Sequence, residues 1–509
     1  MLNPTSKKRQ LIPQWRRFEL AITSNELASP GQRKTVVTST PMLPELVKRI
    51  ERLHLNPDLI AAAEVVESSI ISGHEREAIR AARVVMQSDN AVPMVRAMAA
   101  TLLRRNGRED VLQTAFHTSD ATTSHHWRTR TRLNPTDAVA WVELARVQAC
   151  KGHVDHAKRS MKIALQLAPT NRHVLRSATR LYFQFGDPET AHDLVKRNPA
   201  TPSDPWLMSA EVALSEFSGA KSLFMKKGLE LVENEIMIPA QITELAGAVG
   251  TIVLKDGSRR GRKLIRMSLN APTSNSLAQA EWVSVTYHEK VMDEKQLQLA
   301  SEAWEAKAIQ AFYAGAFEQA LLYAELWMEE EQYNLSAYAT AAGFANVIEN
   351  FGKAKDIASK GLALKKDAPS LLNALAFSAA CQGDLIKASD YLVSLPTDDD
   401  AQNAIADANQ GLIAMRTGNF DEGRKNYRNA ITTMKRINNR ELEVSATIYF
   451  AYELARAGLA DESAEAVSIA KEKNRILKLA NVNLIIQRIK QLPAAPLRAP
   501  ATPPHSSHG

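Results

Sequence analysis

The chain has 509 residues, 45% of them hydrophobic and 23% charged, with a formal net charge of +7. That balance is too apolar for a disordered chain, and the length exceeds what one compact core serves, so the fold either divides or grows by stacking repeats. No apolar run is long enough for a membrane span or a secretory signal, and the two cysteines, Cys150 and Cys381, suit a reducing compartment, so the sequence reads as cytoplasmic.

In chain order, residues 1–58 form a basic arm broken by Pro4, Pro13, Pro30, Pro41 and Pro44, with one helix expected over Glu45–His54. Repeats follow at 59–126, then a basic linker at 127–137. Repeats resume at 138–300, becoming irregular after Glu233, and continue at 301–477. A capping helix is expected at 478–492 and a disordered, proline-rich tail at 493–509. Charge is blocked along this order: residues 1–300 carry a net +10, 301–400 a net −8 and 401–509 a net +5. Such blocks set surface fields and partner choice more than fold.

The repeat is visible in the residues. Counting Ala138 as position 1, Trp141, Leu144, Ala145, Gly152, Ala157, Ala164 and Pro169 fall at positions 4, 7, 8, 15, 20, 27 and 32. The next frame opens at Arg172, with Ala178, Tyr182, Gly186 and Ala191 in register. Frames at Ser301, Leu335 and Pro369 put Trp304, Tyr338 and Leu372 at position 4, Ala308, Ala342 and Ala376 at position 8, and Ala320, Ala354 and Ala388 at position 20. Further frames open near Leu59, Pro93, Ala404 and Val444, with interruptions at Trp127–Asp137 and Leu277–Ala300. Each unit supplies two amphipathic helices separated by a glycine, too small to bury its apolar faces alone.

This pattern resembles the tetratricopeptide repeat (TPR) family. The resemblance implies an all-α fold, a right-handed α-α superhelical solenoid of about eleven TPR-like hairpins, and a concave surface lined by the first helix of each unit. At the inner positions it places Arg146, His173, Arg176, Arg180, Phe183 and Gln184, then Glu302, Glu305, Phe312, Tyr313 and Asn346, a groove that changes sign along its length. Family members that clamp a terminal carboxylate use lysine and asparagine at fixed inner positions. Here positions 5 and 9 hold Val142 and Arg146, so that ligand is not expected.

Motifs for chemistry are thin. His74-Glu75 and His288-Glu289 open like a zinc-protease helix, but Ala78 and Met292 stand where the second histidine belongs. Gly257–Lys263 lacks phosphate-loop spacing. His125-His126 and the pair His153 and His156 read as solvated, and both cysteines occupy position 13 of their frames as small packed hydrophobes. No metal, cofactor or catalytic residue is expected.

The reading is therefore a non-enzymatic scaffold or adaptor that binds partner proteins, a regulatory subunit of an effector enzyme being its narrower form. The alternative is an RNA- or DNA-binding repeat protein using Lys7, Lys8, Arg9, Trp15, Arg16 and Arg17 of the arm, Arg128, Arg130 and Arg132 of the linker, and the arginine-rich groove. The same basic segment also suits an acidic protein surface, of this chain or of a second copy.

Overall fold

A computed structural model describes residues 9, 11–15, 42, 44–55, 58–72, 74–88, 90–105, 120–234, 237–255, 258–287, 290–300, 302–395 and 399–492. Among them are 26 α-helices and no strand. The chain divides into two compact units, one of residues 8–306 and the other of residues 1–7 with 307–509. They are called the first and second unit below.

The first unit contains α1 (Pro44–Leu55), α2 (Leu59–Ser72), α3 (Ile79–Gln87), α4 (Pro93–Arg105) and α5 (Asp120–Leu133). Its paired helices follow: α6 (Ala138–Cys150) with α7 (Val154–Leu167), α8 (Arg172–Gln184) with α9 (Pro188–Lys196), α10 (Pro205–Phe217) with α11 (Met225–Glu233), α12 (Pro239–Lys255) with α13 (Arg259–Met267), and α14 (Ser274–Thr286) with the short α15 (Glu294–Gln298). Helices α6 and α8 begin on the expected frame starts. Position-8 and position-20 alanines Ala145, Ala157 and Ala191 are fully buried, as close helix approach requires. Side chains of Asp137, Asn171, Asp187, Asp204 and Ser258 cap α6, α8, α9, α10 and α13, each worth about 1 kcal/mol.

Three expectations are corrected here. Trp127–Leu133 is not a linker but the second half of α5. Its basic residues give no apolar stripe; the helix is held instead by backbone bonding, by Thr131 against the carbonyls of Trp127 and Arg128, and by Arg130 paired with Asp137 at 2.9 Å. The stretch after Glu233 is also regular helix pairing. Gly250 and Gly261 sit inside α12 and α13 where the helices nearly touch: a Cβ on Gly261 would lie 2.6 Å from the backbone nitrogen of Leu254. Glycines that look like turns in sequence are contact points between helices. The interruption expected at Leu277–Ala300 likewise holds most of α14.

The second unit begins within α16 (Trp304–Tyr313) and continues with α17 (Phe317–Glu330), α18 (Leu335–Val347), α19 (Phe351–Leu364), α20 (Pro369–Cys381), α21 (Leu385–Val393), α22 (Asp400–Arg416), α23 (Phe420–Arg436), α24 (Arg440–Arg456), α25 (Ala460–Leu477) and α26 (Ala480–Gln491). Frame starts Leu335 and Pro369 coincide with helix starts, and Ala308, Ala320, Ala342, Ala354, Ala376 and Ala388 are fully buried. Helices α22 and α24 start one turn before the frames at Ala404 and Val444, which lengthens these pairs. The turn after each first helix requires a left-handed residue: Gly315, Gly383, Gly418 and Gly458 supply it, and Glu349 occupies the equivalent place with φ 62°.

The capping helix is α26, which Lys478 (φ 54°) separates from α25. It exposes Asn483, Gln487 and Lys490 and buries its other face. Val482 and Ile485 are buried, Ala480 lies beside Gly315, and Arg488 donates to the carbonyl of Val347 at 2.8 Å and pairs with Glu349 at 3.2 Å. Residues 493–509, expected as a tail, lie outside the described residues.

Candidate protein-interaction groove

The first helices of the repeats lie side by side, and in the first unit α8, α10, α12 and α14 present one continuous face. A segment without regular secondary structure, Arg9 with Leu11–Trp15, lies against it. Leu11 is fully buried among Met208 and Val212 of α10 and Ile242, Leu245 and Ala246 of α12. It rests over Gly247, where an added Cβ would come within 2.4 Å of its Cδ1. Ile12 joins Leu175 and Tyr182 of α8 and Leu207 and Ala210 of α10, and Trp15 is 1% exposed.

Polar groups hold the segment's main chain. Asn275 donates from Nδ2 to the carbonyl of Ile12 at 3.0 Å, and Gln279 donates from Nε2 to the carbonyl of Arg9 at 3.2 Å and to Thr251 Oγ1 at 2.9 Å. The Arg9 guanidinium binds Glu305 through two bonds (2.8 and 2.9 Å), Gln279 Oε1 at 2.7 Å and Asn275 Oδ1 at 3.2 Å. A forked cation on a carboxylate, with amides reading carbonyls, is how a folded surface grips an extended peptide.

Most residues expected to line an open groove are engaged inside the chain. Arg146 is 2% exposed and bonded to Glu143 at 3.1 Å, because the same helix supplies its counter-charge one turn away. Arg176 donates to Glu244 at 2.7 Å and to the carbonyl of Trp206, whose ring lies 5.0 Å from its guanidinium carbon. Arg146 and Arg176 are thus neutralised, by carboxylates on α6 and α12. His173, Arg180, Phe183 and Gln184 are half-buried; burial, ahead of its charged neighbours, lowers the His173 pKa, and Phe183 packs edge-on against Phe217 at 4.8 Å. Glu302 is half-buried, and Glu305 is the partner of Arg9. Arg128 and Arg132 are exposed, whereas Lys7, Lys8, Arg16 and Arg17 lie outside the described residues.

The corresponding face of the second unit is filled as well. Phe312 is buried and stacked on Phe344 at 4.5 Å, and Tyr313 donates its hydroxyl to Glu441 at 2.9 Å. Asn346 donates to the carbonyl of Ala374 and accepts from Ser378; Asn373 bonds Gln402, and Asn409 bonds Asn373, forming a ladder of amides across α18, α20 and α22. A cavity of about 50 Å³ is lined by Asn346, Asn373, Phe377, Tyr449 and, from α26, Asn481, whose Oδ1 is buried and unbonded.

Reactive groups are muted. Burial pushes the Cys381 thiol up to about 11, so it is protonated at neutral pH, and Cys150 is half-buried. Among the described residues no three histidine, cysteine or carboxylate side chains group as a metal site would. Sequence reading missed one buried array: Ser218 Oγ lies 3.0 Å from His192 Nδ1, and His192 Nε2 lies 3.0 Å from Glu211, which also accepts from the Leu223 amide. Its members tie α9 to α10 and to the turn before α11, and Ser218 also bonds the carbonyl of Ser215. Asn275, Gln279 and Leu11 were missed too, since the first two sit in the stretch read as irregular and the third in an arm read for its cations and Trp15.

Helix pairs whose first helices begin 30–40 residues apart, with buried small residues and left-handed turns after the first helix, give the chain a TPR-like helical-repeat fold. No protein-family model matches it, and no curated protein does. Among solved structures it is similar to the APC/C hetero-tetramer Cut9-Hcn1, at 12% identity over 87% of this chain and 92% of that one with a TM-score of 0.37. It is also similar to yeast Tom70, at 11% identity over 85% of this chain and 99% of that one with a TM-score of 0.31. Among the described residues no helix is long and apolar enough to cross a membrane.

Proposed function

We propose that the chain is a non-enzymatic scaffold or adaptor of the cytoplasm that holds partner proteins, its narrower form being a regulatory subunit that restrains an effector enzyme. One observation carries the reading: the first helices of the first unit bind a non-helical segment by its main chain and its cation, using Asn275, Gln279 and Glu305. The half-buried His173, Arg180, Phe183, Gln184 and Glu302 are the side chains offered to a partner beside that segment. Nucleic acid is the weaker reading, because Arg9, Arg146 and Arg176 already have carboxylate partners.

Affinity capture from native lysate, with quantitative mass spectrometry, tests it by comparing the wild-type chain with Arg180→Glu/Gln184→Ala. We expect a small set of proteins in near-stoichiometric amount with the wild type, depleted about tenfold by the variant at unchanged helicity. Absence of any stoichiometric partner, or recovery of nucleic acid whose binding falls steeply with salt, would replace the reading.

A further inference from the structure

Leu11, Ile12 and Trp15 are buried like core residues, yet the helices they lie on also contact one another directly, α8 with α10 and α10 with α12. What it offers the first helices is what any extended chain offers: two carbonyls, for Asn275 and Gln279. Its side chains add selectivity. Arg9 is read by Glu305, Gln279 and Asn275 together, Leu11 needs the missing Cβ of Gly247, and Ile12 enters the apolar contact between α8 and α10. None of these contacts depends on the segment being joined to α1.

We propose that this face is an acceptor site for an extended peptide of a partner protein carrying Arg-x-Leu-Ile-Pro-x-Trp chemistry, and that Arg9–Trp15 is the chain's own copy of that ligand, occupying the site until a partner displaces it. The motif is a cation, aliphatic residues two and three positions on, and an indole three positions beyond. The proposal rests on the scaffold reading above. Tethering supplies the internal copy at an effective concentration of about 1 mM, so a free peptide of equal intrinsic affinity competes poorly with it. A partner succeeds by adding contacts elsewhere, and the half-buried residues of α8 are beside the segment's path.

The probe is a fluorescein-labelled synthetic peptide with the sequence of residues 9–15, followed by anisotropy against the full-length chain. Wild type should bind it weakly. Arg9→Glu/Leu11→Asp, which loosens the internal copy, should bind it at least tenfold more tightly, about 1.4 kcal/mol, and lose it again when Gln279→Ala and Glu305→Lys are added. A peptide with glutamate replacing its arginine should not bind. Because the loosened chain could lose its fold, a second version carries a specific protease site within residues 20–30: before cleavage it should bind the labelled peptide as weakly as wild type, and after cleavage the peptide should exchange into the site. Absence of peptide binding by both the loosened chain, with helicity and melting retained, and the cleaved chain would make the segment a permanent part of the core and overturn the proposal. Stoichiometric partner capture in that case would leave the scaffold reading standing; loss of both would remove both.

Discussion

The guanidinium of Arg9 is joined to the carboxylate of Glu305 by two parallel hydrogen bonds of 2.8 and 2.9 Å across 296 residues of sequence. Both side chains are mostly shielded, so removing one leaves the other poorly solvated. Arg9→Ala and Glu305→Ala should each destabilise the first unit by about 2 kcal/mol, and the double variant should cost far less than the sum. Urea melts of the four chains of the cycle measure this; additive losses would show that the pair contributes nothing by its contact.

Leu11 and Gly247 are matched in size. Gly247→Ala puts a methyl where the Leu11 side chain lies and should cost about 1–3 kcal/mol. Combining it with Leu11→Ala should recover part of that loss, since the methyl then enters vacated space. Thermal denaturation of the single and double variants distinguishes this from general damage to α12.

Two helical glycines should respond in opposite directions. At Gly261 a Cβ would meet the backbone of Leu254, which cannot yield, so Gly261→Ala should destabilise by about 2 kcal/mol. Gly352, in the first turn of α19, meets nothing, and Gly352→Ala should stabilise by about 0.5 kcal/mol. Melting temperatures moving the same way in both would contradict the crossing of α12 and α13.

Glu441 gives the second unit a pH dependence. Burial raises its pKa to about 7, opposed by the hydroxyl of Tyr313. A carboxyl whose folded pKa is raised contributes stability in full below its ordinary value near 4.5, and that contribution is lost as pH rises through about 7. Glu281, raised to about 7 by burial against the pull of Lys290, adds the same sign in the first unit. Wild type should therefore be less stable at pH 8 than at pH 5 by about 2 kcal/mol from Glu441, and Glu441→Gln should flatten that slope. An unchanged slope in the variant would place the dependence elsewhere.

Lys478 holds a left-handed conformation between α25 and α26 that costs a side-chain-bearing residue about 1 kcal/mol. Lys478→Gly should raise the melting temperature of the second unit while leaving the contact of Arg488 with Glu349 in place. A lower melting temperature would show that the turn depends on the lysine itself.

The repeat was legible because its signals are local. Alanines at fixed spacing and a glycine after each first helix follow from helix contact and left-handed turns, and Glu349 shows that the backbone keeps the turn even where the residue departs from the pattern. Other features left no such trace. Helix α5 lacks an apolar stripe, so Trp127–Leu133 read as linker, and the glycines that pack α12 on α13 fall outside the repeat pattern, so the stretch after Glu233 read as irregular. The inner positions were assigned by register, but which of them face a ligand depends on what else fills the space. Arg146 and Tyr313 were found on the right helices with their polar groups already spent on Glu143 and Glu441. Contacts between Arg9 and Glu305, or between Arg488 and Glu349, have no period and could not be read from spacing.

The long reach of the Arg9 contact also orders events during synthesis. Translation at about 5–20 residues per second leaves Arg9, Leu11 and Ile12 without their docking face for some tens of seconds after they leave the ribosome, since Gln279 and Glu305 are made so much later. The segment is thereby seated only after a partner 296 residues further along the chain has been made. Until then its leucine, isoleucine and tryptophan are open to whatever nascent-chain chaperone meets them first.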